Sequence, residues 1–120
     1  MFDLLHIGHL RVLEQAKKYC DHLTVCVFTD YVAQSYKRTP IIRETERVQM
    51  VNSLKCVDDA YLIDFRAPVD MREADVYFVS EMLKGKKLYM VPTGRLGDVI
   101  YLPYTEGIST TAVITRCQKR

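Results

Sequence analysis

The predicted fold depends on a stretch of nine residues, Met1-Phe2-Asp3-Leu4-Leu5-His6-Ile7-Gly8-His9. Gly8 stands at the predicted start of a helix, where the missing Cβ lets the backbone approach a ligand closely. The first turn of a helix has unpaired N–H groups and a partial positive charge, which favours phosphate. Two imidazoles there can donate hydrogen bonds to phosphate oxygens as a bond to phosphorus breaks. The alternative, that His6 and His9 only cap the helix, is weakened by their spacing around Gly8.

Apolar and polar residues outside this stretch predict alternating helices and strands. Helical spacing predicts helices over Gly8–Tyr19, Arg43–Leu54 and Thr110–Cys117, the second with Val48, Met50, Val51 and Leu54 facing inward. β-Branched and apolar runs predict strands over His22–Thr29, which reads as buried on both faces, and over Ala60–Ile63, Val76–Val79 and Val99–Leu102. Residues Ser35–Thr39 before Pro40 predict a loop, and a short helix-compatible stretch follows Ala67-Pro68.

This alternation predicts an α/β protein with a Rossmann-like parallel sheet that carries helices on both faces. A chain of 120 residues is the size of one domain, so residues 1–120 are expected to form a single catalytic domain. Sheets of this kind begin with a central strand before the first turn, whereas this sequence opens on the turn itself. We therefore expect the first strand to be missing. Ligands are expected beyond the carboxyl ends of the strands.

Composition excludes several classes of protein. Seventeen basic and fifteen acidic residues give a net charge of +2, which argues against a nucleic-acid partner bound by charge alone. The apolar runs are too short to span a bilayer, so no membrane is expected. Four cysteines lack a Cys-x-x-Cys pair, which predicts neither a metal site nor a disulfide framework. Reduced thiols point to a cytoplasmic protein.

The opening stretch resembles the signature of the nucleotidylyltransferase superfamily, and its cytidylyltransferase branch in particular. In that family a strand and a glycine precede Thr/Met-Phe-Asp-x-x-His-x-Gly-His, so Met1 corresponds to an internal residue. The resemblance implies that His6 and His9 are catalytic and bind the nucleotide, with nucleotide contacts also from Met1, Phe2 and Gly8.

A second block, Tyr104-Thr105-Glu106-Gly107-Ile108-Ser109-Thr110-Thr111, is a glycine turn followed by hydroxyls at a predicted helix N-cap. Taken alone, it is equally typical of a well-capped terminal helix. The block resembles the Arg-Thr-Glu-Gly-Ile-Ser-Thr-Thr run of glycerol-3-phosphate cytidylyltransferases. This resemblance assigns nucleotide binding to Thr105, Gly107, Ile108, Ser109 and Thr110. Tyr104 replaces the arginine of the family, which removes a fixed positive charge.

A third segment, Lys37-Arg38-Thr39-Pro40-Ile41-Ile42 with Glu46-Arg47, is similar to the Lys-x-x-Pro-Ile…Glu-Arg pattern of the family. The resemblance implies that Lys37 and Arg47 are catalytic phosphate ligands, with Arg38 as a neighbour that shares the task. The alternative is a solvated basic loop and an exposed helix salt bridge. Weaker candidates for binding the acceptor are Asp3, Arg66 and Arg72, of which the two arginines are more typical of surface charge than of a ligand.

The activity that the resemblance implies is transfer of CMP from CTP to a small phosphorylated alcohol, with glycerol 3-phosphate favoured. Mg²⁺ would be bound with the nucleotide, and the family predicts a homodimer. One alternative is an adenylyltransferase of the same fold that uses ATP. Another alternative is a non-catalytic nucleotide-binding descendant. Two departures from the family favour it: Tyr104 in place of the arginine, and Ser80-Glu81-Met82-Leu83 in place of Gly-Asp-Asp-Trp. A fragment of a class I aminoacyl-tRNA synthetase fits less well, since no Lys-Met-Ser-Lys-Ser-type loop is present.

Overall fold

The computed structural model describes residues 2–36, 38–64, 76–80, 98–103 and 108–119. Within these ranges the elements in chain order are α1 (Ile7–Lys17), β1 (Thr24–Phe28), α2 (Asp30–Tyr36), α3 (Glu44–Asn52), β2 (Asp59–Ile63), β3 (Val76–Ser80), β4 (Asp98–Leu102) and α4 (Thr110–Gln118). The three predicted helices and four predicted strands are therefore confirmed, with ends that shift by one or two residues. The helix-compatible stretch predicted after Ala67-Pro68 lies outside the described residues.

The described strands pair in parallel, as two two-stranded sheets. Thr24 of β1 is opposite Asp59 of β2, and Phe28 is opposite Ile63. In the second sheet Val76 of β3 is opposite Asp98 of β4. Parallel pairing requires crossover connections, and between β1 and β2 the chain passes through α2 and α3. The α/β, Rossmann-like fold class is confirmed.

One hydrophobic core joins both sheets to their helices. The fully or nearly buried members come from α1, β1, α3 and β4, and from the turns that precede β1 and β2: Leu13, Ala16, Leu23, Val25, Val27, Val51, Val57 and Leu102. Each apolar side chain of this size stabilises the fold by about 1.5–3 kcal/mol when buried, with Ala contributing less. The core thus joins α1 and α3 to β1 and β4.

Two expectations about packing and one about secondary structure need correction. In β1, Val25 and Val27 are buried but Thr24 is exposed, so the strand is not buried on both faces. Met50 of α3 is 50% exposed rather than inward-facing. The reason is angular, since Met50 lies ~100° around the helix from Val51, whose side chain is buried.

The third correction concerns the predicted loop Ser35–Thr39, whose first two residues belong to α2. This seven-residue helix follows β1 directly. The hydroxyl of Thr29 accepts a hydrogen bond from Val32 N–H at 3.4 Å, which satisfies one N–H of the first turn. A helix this short has a weak periodic pattern, so its sequence alone did not predict it.

Candidate active site

The first turn of α1 is built around its two histidines. His6 is the N-cap residue, and its Nδ1 accepts a hydrogen bond from Gly8 N–H at 3.0 Å. The backbone N–H of His6 donates in turn to Nδ1 of His9 at 3.1 Å. The two rings stack with centroids 3.8 Å apart and planes inclined by 24°. The capping role that the sequence offered as an alternative is thus present, and the two rings also stack against each other.

These bonds determine the tautomer of each imidazole. A backbone N–H is always the donor, so each Nδ1 acts as the acceptor and carries no proton. In a neutral ring the proton must then be on Nε2. Burial lowers the pKa of His6, which favours this neutral form. Each ring therefore has one N–H donor, at Nε2, while its other nitrogen is held by the backbone.

Gly8 leaves room for the ring of His6 within its own turn and lies close to a second segment. A Cβ placed on Gly8 would lie 2.8 Å from Cε1 and 3.0 Å from Nδ1 of His6, closer than real Cβ contacts. It would also lie 3.3 Å from Cγ2 of Ile108, just before α4. The first turn of α1 and the segment leading into α4 are therefore in contact. This brings together two of the three segments that the sequence singled out.

The first turn of α4 is capped as its sequence predicts. Ser109 is the N-cap residue, and its Oγ accepts a hydrogen bond from Ala112 N–H at 3.0 Å. Thr110 is buried, and its hydroxyl donates to the backbone carbonyl of Asp3 at 2.7 Å. Both predicted hydroxyls are thus engaged within the protein. Thr105 and Gly107 lie outside the described residues, as do Met1, Lys37, Arg66, Arg72 and Tyr104.

Arg47 is enclosed rather than presented to a ligand. It is 1% exposed. Its Nε donates to the carbonyl of Ile42 at 2.8 Å and Nη1 donates to that of Phe28 at 2.8 Å. Its Nη2 pairs with Asp30 Oδ1 at 2.6 Å. This placement gives Arg47 a structural role at the carboxyl end of β1. Its predicted role as a direct phosphate ligand stays a prediction that these contacts do not support.

Arg38 differs from Arg47 in its partners. Its Nε and Nη2 atoms are buried, and they have no hydrogen-bond partner in the described part of the chain. An unpaired buried guanidinium is costly, because the group keeps its charge at any ordinary pH. Arg38 thus has donors available for an anion. The sequence ranked it only as a neighbour of Lys37.

Asp3 is a buried charged residue in the turn that leads into α1. It is fully buried, and its two carboxylate oxygens accept from Ile41 N–H and Ile42 N–H, each at 2.9 Å. The flanking residues Phe2 and Leu4 have φ angles of 58° and 48°, in the left-handed region that non-glycine residues rarely adopt. An enclosed carboxylate does not reach an acceptor, so its predicted place among acceptor-binding residues lacks geometric support.

A cavity of about 320 Å³ lies beside this turn. It is lined mainly by apolar side chains from the turn, α3 and α4, with His6 and Arg47 as the polar residues: Phe2, Leu4, Leu5, His6, Ile42, Arg47, Met50 and Val113. The imidazole of His6 therefore lies at the edge of an apolar space, close to the N-termini of α1 and α4.

Family comparison identifies the arrangement. The profile of the cytidylyltransferase-like family matches residues 1–116. The chain belongs to the cytidylyltransferase-like family. Membership supports a nucleotidyltransferase as the class of activity, in agreement with the two histidines at the start of α1. Among the residues that the structure describes, no helix has the length and apolar character needed to cross a membrane.

Several curated proteins are similar to this cytidylyltransferase-like chain. Bifunctional protein HldE of Hyphomonas neptunium is 33% identical over 127 residues, covering 98% of this chain and 26% of that protein. HldE of Koribacter versatilis is 33% identical over 126 residues, with 96% and 25% covered. FAD synthase of Methanopyrus kandleri is 46% identical over 65 residues, with 52% and 43% covered. The chain thus spans about a quarter of the HldE proteins.

A solved structure supports the same fold. The lipopolysaccharide core biosynthesis protein from Thermoplasma volcanium GSS1 superposes with a TM-score of 0.74 and 24% sequence identity. The match covers 88% of this chain and 93% of that one. At this identity the likeness concerns the fold alone. It agrees with the parallel pairing of β1 with β2 and of β3 with β4.

Proposed function

We propose that this protein transfers CMP from CTP to a small phosphorylated alcohol, with glycerol 3-phosphate as the first candidate, and releases pyrophosphate. The observation that carries the proposal is the pair of stacked imidazoles at the N-terminus of α1, each with its Nδ1 held by the backbone. The arrangement puts the proton of each neutral ring on Nε2, beside a positive helix end, which suits a phosphate in transfer. We expect a cytoplasmic homodimer, as the family resemblance implies.

The reaction that we propose is a single in-line displacement. A phosphate oxygen of the acceptor forms a bond to the α-phosphorus, and the bond from that phosphorus to the bridging oxygen breaks. Pyrophosphate leaves with the electron pair, so no proton transfer to a protein base is needed. His6 and His9 would donate hydrogen bonds to the oxygens on which charge increases. Catalysis then consists of positioning and charge stabilisation.

The β- and γ-phosphates need cationic partners, and Arg38 supports this part of the proposal. Its buried Nε and Nη2 atoms gain partners if a triphosphate lies against them. Lys37 would share this role. Mg²⁺ would arrive with the nucleotide, held by its phosphates, and would neutralise part of their charge. The nearby carboxylates of Asp3 and Asp30 are already engaged by backbone N–H groups and by Arg47.

The second candidate is transfer of AMP from ATP. The relative named FAD synthase favours it, because FAD contains an adenylyl group. The segment Tyr104–Thr111 favours CTP through its resemblance to glycerol-3-phosphate cytidylyltransferases. Both candidates use the same histidines and the same arrangement of phosphates.

Pyrophosphate release tests the proposal. The parent protein is given CTP or ATP with Mg²⁺ and a panel of acceptors: glycerol 3-phosphate, phosphocholine, phosphoethanolamine and sugar phosphates. We expect the fastest release with CTP and glycerol 3-phosphate. Faster release with ATP would replace the nucleotide assignment, and silence with every pair would overturn the proposed activity.

Variants at His9 test the site itself. His9→Asn keeps a side-chain acceptor near the position of Nδ1 but loses the Nε2 donor, so turnover should fall by about 100-fold or more. His9→Gln brings an amide N–H near the position of Nε2 and should recover part of that loss. His22→Asn is the matched control, because this exposed histidine precedes β1. Equal turnover in His9→Asn and His22→Asn would remove His9 from the mechanism.

A further inference from the structure

Asp3 connects three segments of the candidate active site. Its carboxylate accepts from the backbone N–H groups of Ile41 and Ile42, in the loop after Arg38. Its backbone carbonyl accepts from the hydroxyl of Thr110 at the start of α4. Asp3 itself belongs to the turn that leads into His6. One fully buried residue therefore ties the histidine turn, the basic loop and the second helix N-terminus together.

The position of Asp3 is maintained at a conformational cost. Phe2 and Leu4, on either side of it, both adopt left-handed backbone angles. Such angles cost about 1–3 kcal/mol per residue in non-glycine positions and persist only where surrounding contacts enforce them. The two charge-assisted bonds from Ile41 and Ile42 are contacts of that kind. The turn is thus built to direct a carboxylate at the loop.

The loop is held from its other side as well. The N–H of Ile42 donates to Asp3, while the carbonyl of Ile42 accepts from Arg47 Nε at 2.8 Å. Both polar groups of this peptide position are therefore fixed by buried, charged side chains. Arg38 lies three residues before Ile41, so the anchored end of the loop restricts where its guanidinium can lie.

We propose that Asp3 is a positioning residue that holds Arg38 in place for the triphosphate. This role rests on the proposed function. It acts through the backbone of Ile41 and Ile42, without contact between Asp3 and the substrate. Loss of the carboxylate should therefore weaken nucleotide binding more than it slows the chemical step at the histidines.

Asp3→Asn is the first test, since the amide keeps one acceptor oxygen and presents N–H donors to the other backbone N–H. We expect KM for the nucleotide to rise about tenfold, with kcat changed less than threefold. Asp58→Asn is the matched control. Asp58 also accepts from a backbone N–H, that of Leu23 at 2.7 Å, but at the opposite end of β1. It should leave KM unchanged. Equal changes of KM in both variants would overturn the proposal.

A double-mutant cycle tests whether Asp3 acts through Arg38. Arg38→Gln alone should raise KM for the nucleotide. Adding Asp3→Asn to Arg38→Gln should raise it less than twofold further, because the group that Asp3 positions is already gone. Fully multiplicative effects would contradict the proposed coupling. A merely structural defect would lower activity through the folded fraction, which circular dichroism measures, and would not depend on residue 38.

Two further measurements, KM of an Ile41→Pro variant and nucleotide binding by the parent protein, keep the proposal testable if Asp3→Asn does not fold. If Asp3→Asn does not fold, Ile41→Pro removes one of the two N–H donors while the carboxylate remains, and KM should rise in the same direction. Unchanged KM in a folded Ile41→Pro variant would then count against the proposal. Calorimetry with CTP and ATP distinguishes failure of the proposed function from failure of the proposed role of Asp3. Absence of binding to the parent refutes the proposed function, whereas normal binding by Asp3→Asn refutes only the role of Asp3.

Discussion

The two ends of β1 carry ion pairs with the same N–O distance and very different surroundings. At the carboxyl end Arg47 Nη2 lies 2.6 Å from Asp30 Oδ1, and at the amino end Lys17 Nζ lies 2.6 Å from Asp58 Oδ2. The side chain of Arg47 is fully enclosed, whereas those of Lys17, Asp58 and also Asp30 are each about a third exposed. Distance alone therefore does not distinguish an organising contact from a surface contact.

The difference lies in what else each cation holds. Arg47 also donates to the carbonyls of Phe28 and Ile42, so its removal takes three hydrogen bonds away from the carboxyl end of β1. Lys17 donates to the carbonyl of Asp21 as well, but these groups are exposed and water can replace the lysine. The carboxyl end of β1 is where the candidate active site forms. Its buried charges fix the backbone, and Arg38 alone among the arginines discussed has buried donors with no partner in the described residues.

Removing the enclosed Arg47 should give the largest effect. Arg47→Met removes the charge and keeps much of the side-chain volume, but it leaves two carbonyls and Asp30 without their partner. We expect the free energy of unfolding to fall by about 3–5 kcal/mol. Lys17→Met is the matched control, and its urea midpoint should stay close to that of the parent. The comparison between the two ends fails if both variants lose the same stability in urea denaturation.

An intermediate effect of opposite sign is expected at Arg38. Arg38→Met removes two buried nitrogens, Nε and Nη2, that have no partner among the described residues, so the free energy of unfolding should rise by about 1–3 kcal/mol. Nucleotide affinity should fall in the same variant, because the site loses a cation. Thermal denaturation and calorimetry with CTP measure the two quantities. Arg116→Met changes an exposed arginine in the last turn of α4 and should alter neither. A destabilised Arg38→Met protein would argue that Arg38 has a structural role instead.

The smallest effect that we expect is a difference in the pH at which the two ends of β1 lose stability. His6 represents the carboxyl end and Asp58 the amino end. Burial lowers the pKa of His6, so below its ordinary value of 6.5 the unfolded chain binds more protons than the folded one. The contribution of His6 to stability is present above pH 6.5 and is lost as the pH falls below it. The hydrogen bond from Leu23 N–H, and after it the one from Lys17, lowers the pKa of Asp58 below its ordinary value of 3.8. The contribution of Asp58 to stability is therefore lost only below pH 3.8.

Thermal midpoints from neutral pH to about pH 3 measure both steps. His6→Gln should remove the decrease that begins near pH 6.5 and leave the acid step in place. Asp58→Asn should remove only the acid step. If His6→Gln keeps the upper step, another group causes it and the histidine cap does not link pH to stability.

Much of the fold was predictable because it follows from local periodicity. The apolar stripe of α1 and the β-branched runs of the four strands reflect burial that repeats every turn or every second residue. The short α2 was not predicted, since seven residues contain fewer than two turns and a weak pattern. The inward placement of Met50 was wrong for a related reason, because a run of apolar letters does not show which of them share a face.

The candidate active site was predictable in part. His6, Gly8 and His9 were found because their spacing places them in one helical turn, which is a local property. The resemblance implies that Arg47 is a ligand, but it shares a helix face with Val51 and Leu54, at spacings of four and seven residues, so its burial had a visible signal. No sequence signal showed the burial of Asp3 or the unpartnered nitrogens of Arg38, since both depend on segments that are distant in the chain.

The sequence by itself determined the α/β class, the family resemblance and the two histidines at the start of α1. These follow from short-range patterns of side-chain type, which act within a turn or a strand. Only the tertiary structure decided which charged residues are enclosed and which retain unpaired donors. Burial and hydrogen bonding join Asp3 to Ile41, Ile42 and Thr110 across 38 to 107 residues of chain. Such contacts depend on how the whole core packs, and no local pattern encodes them.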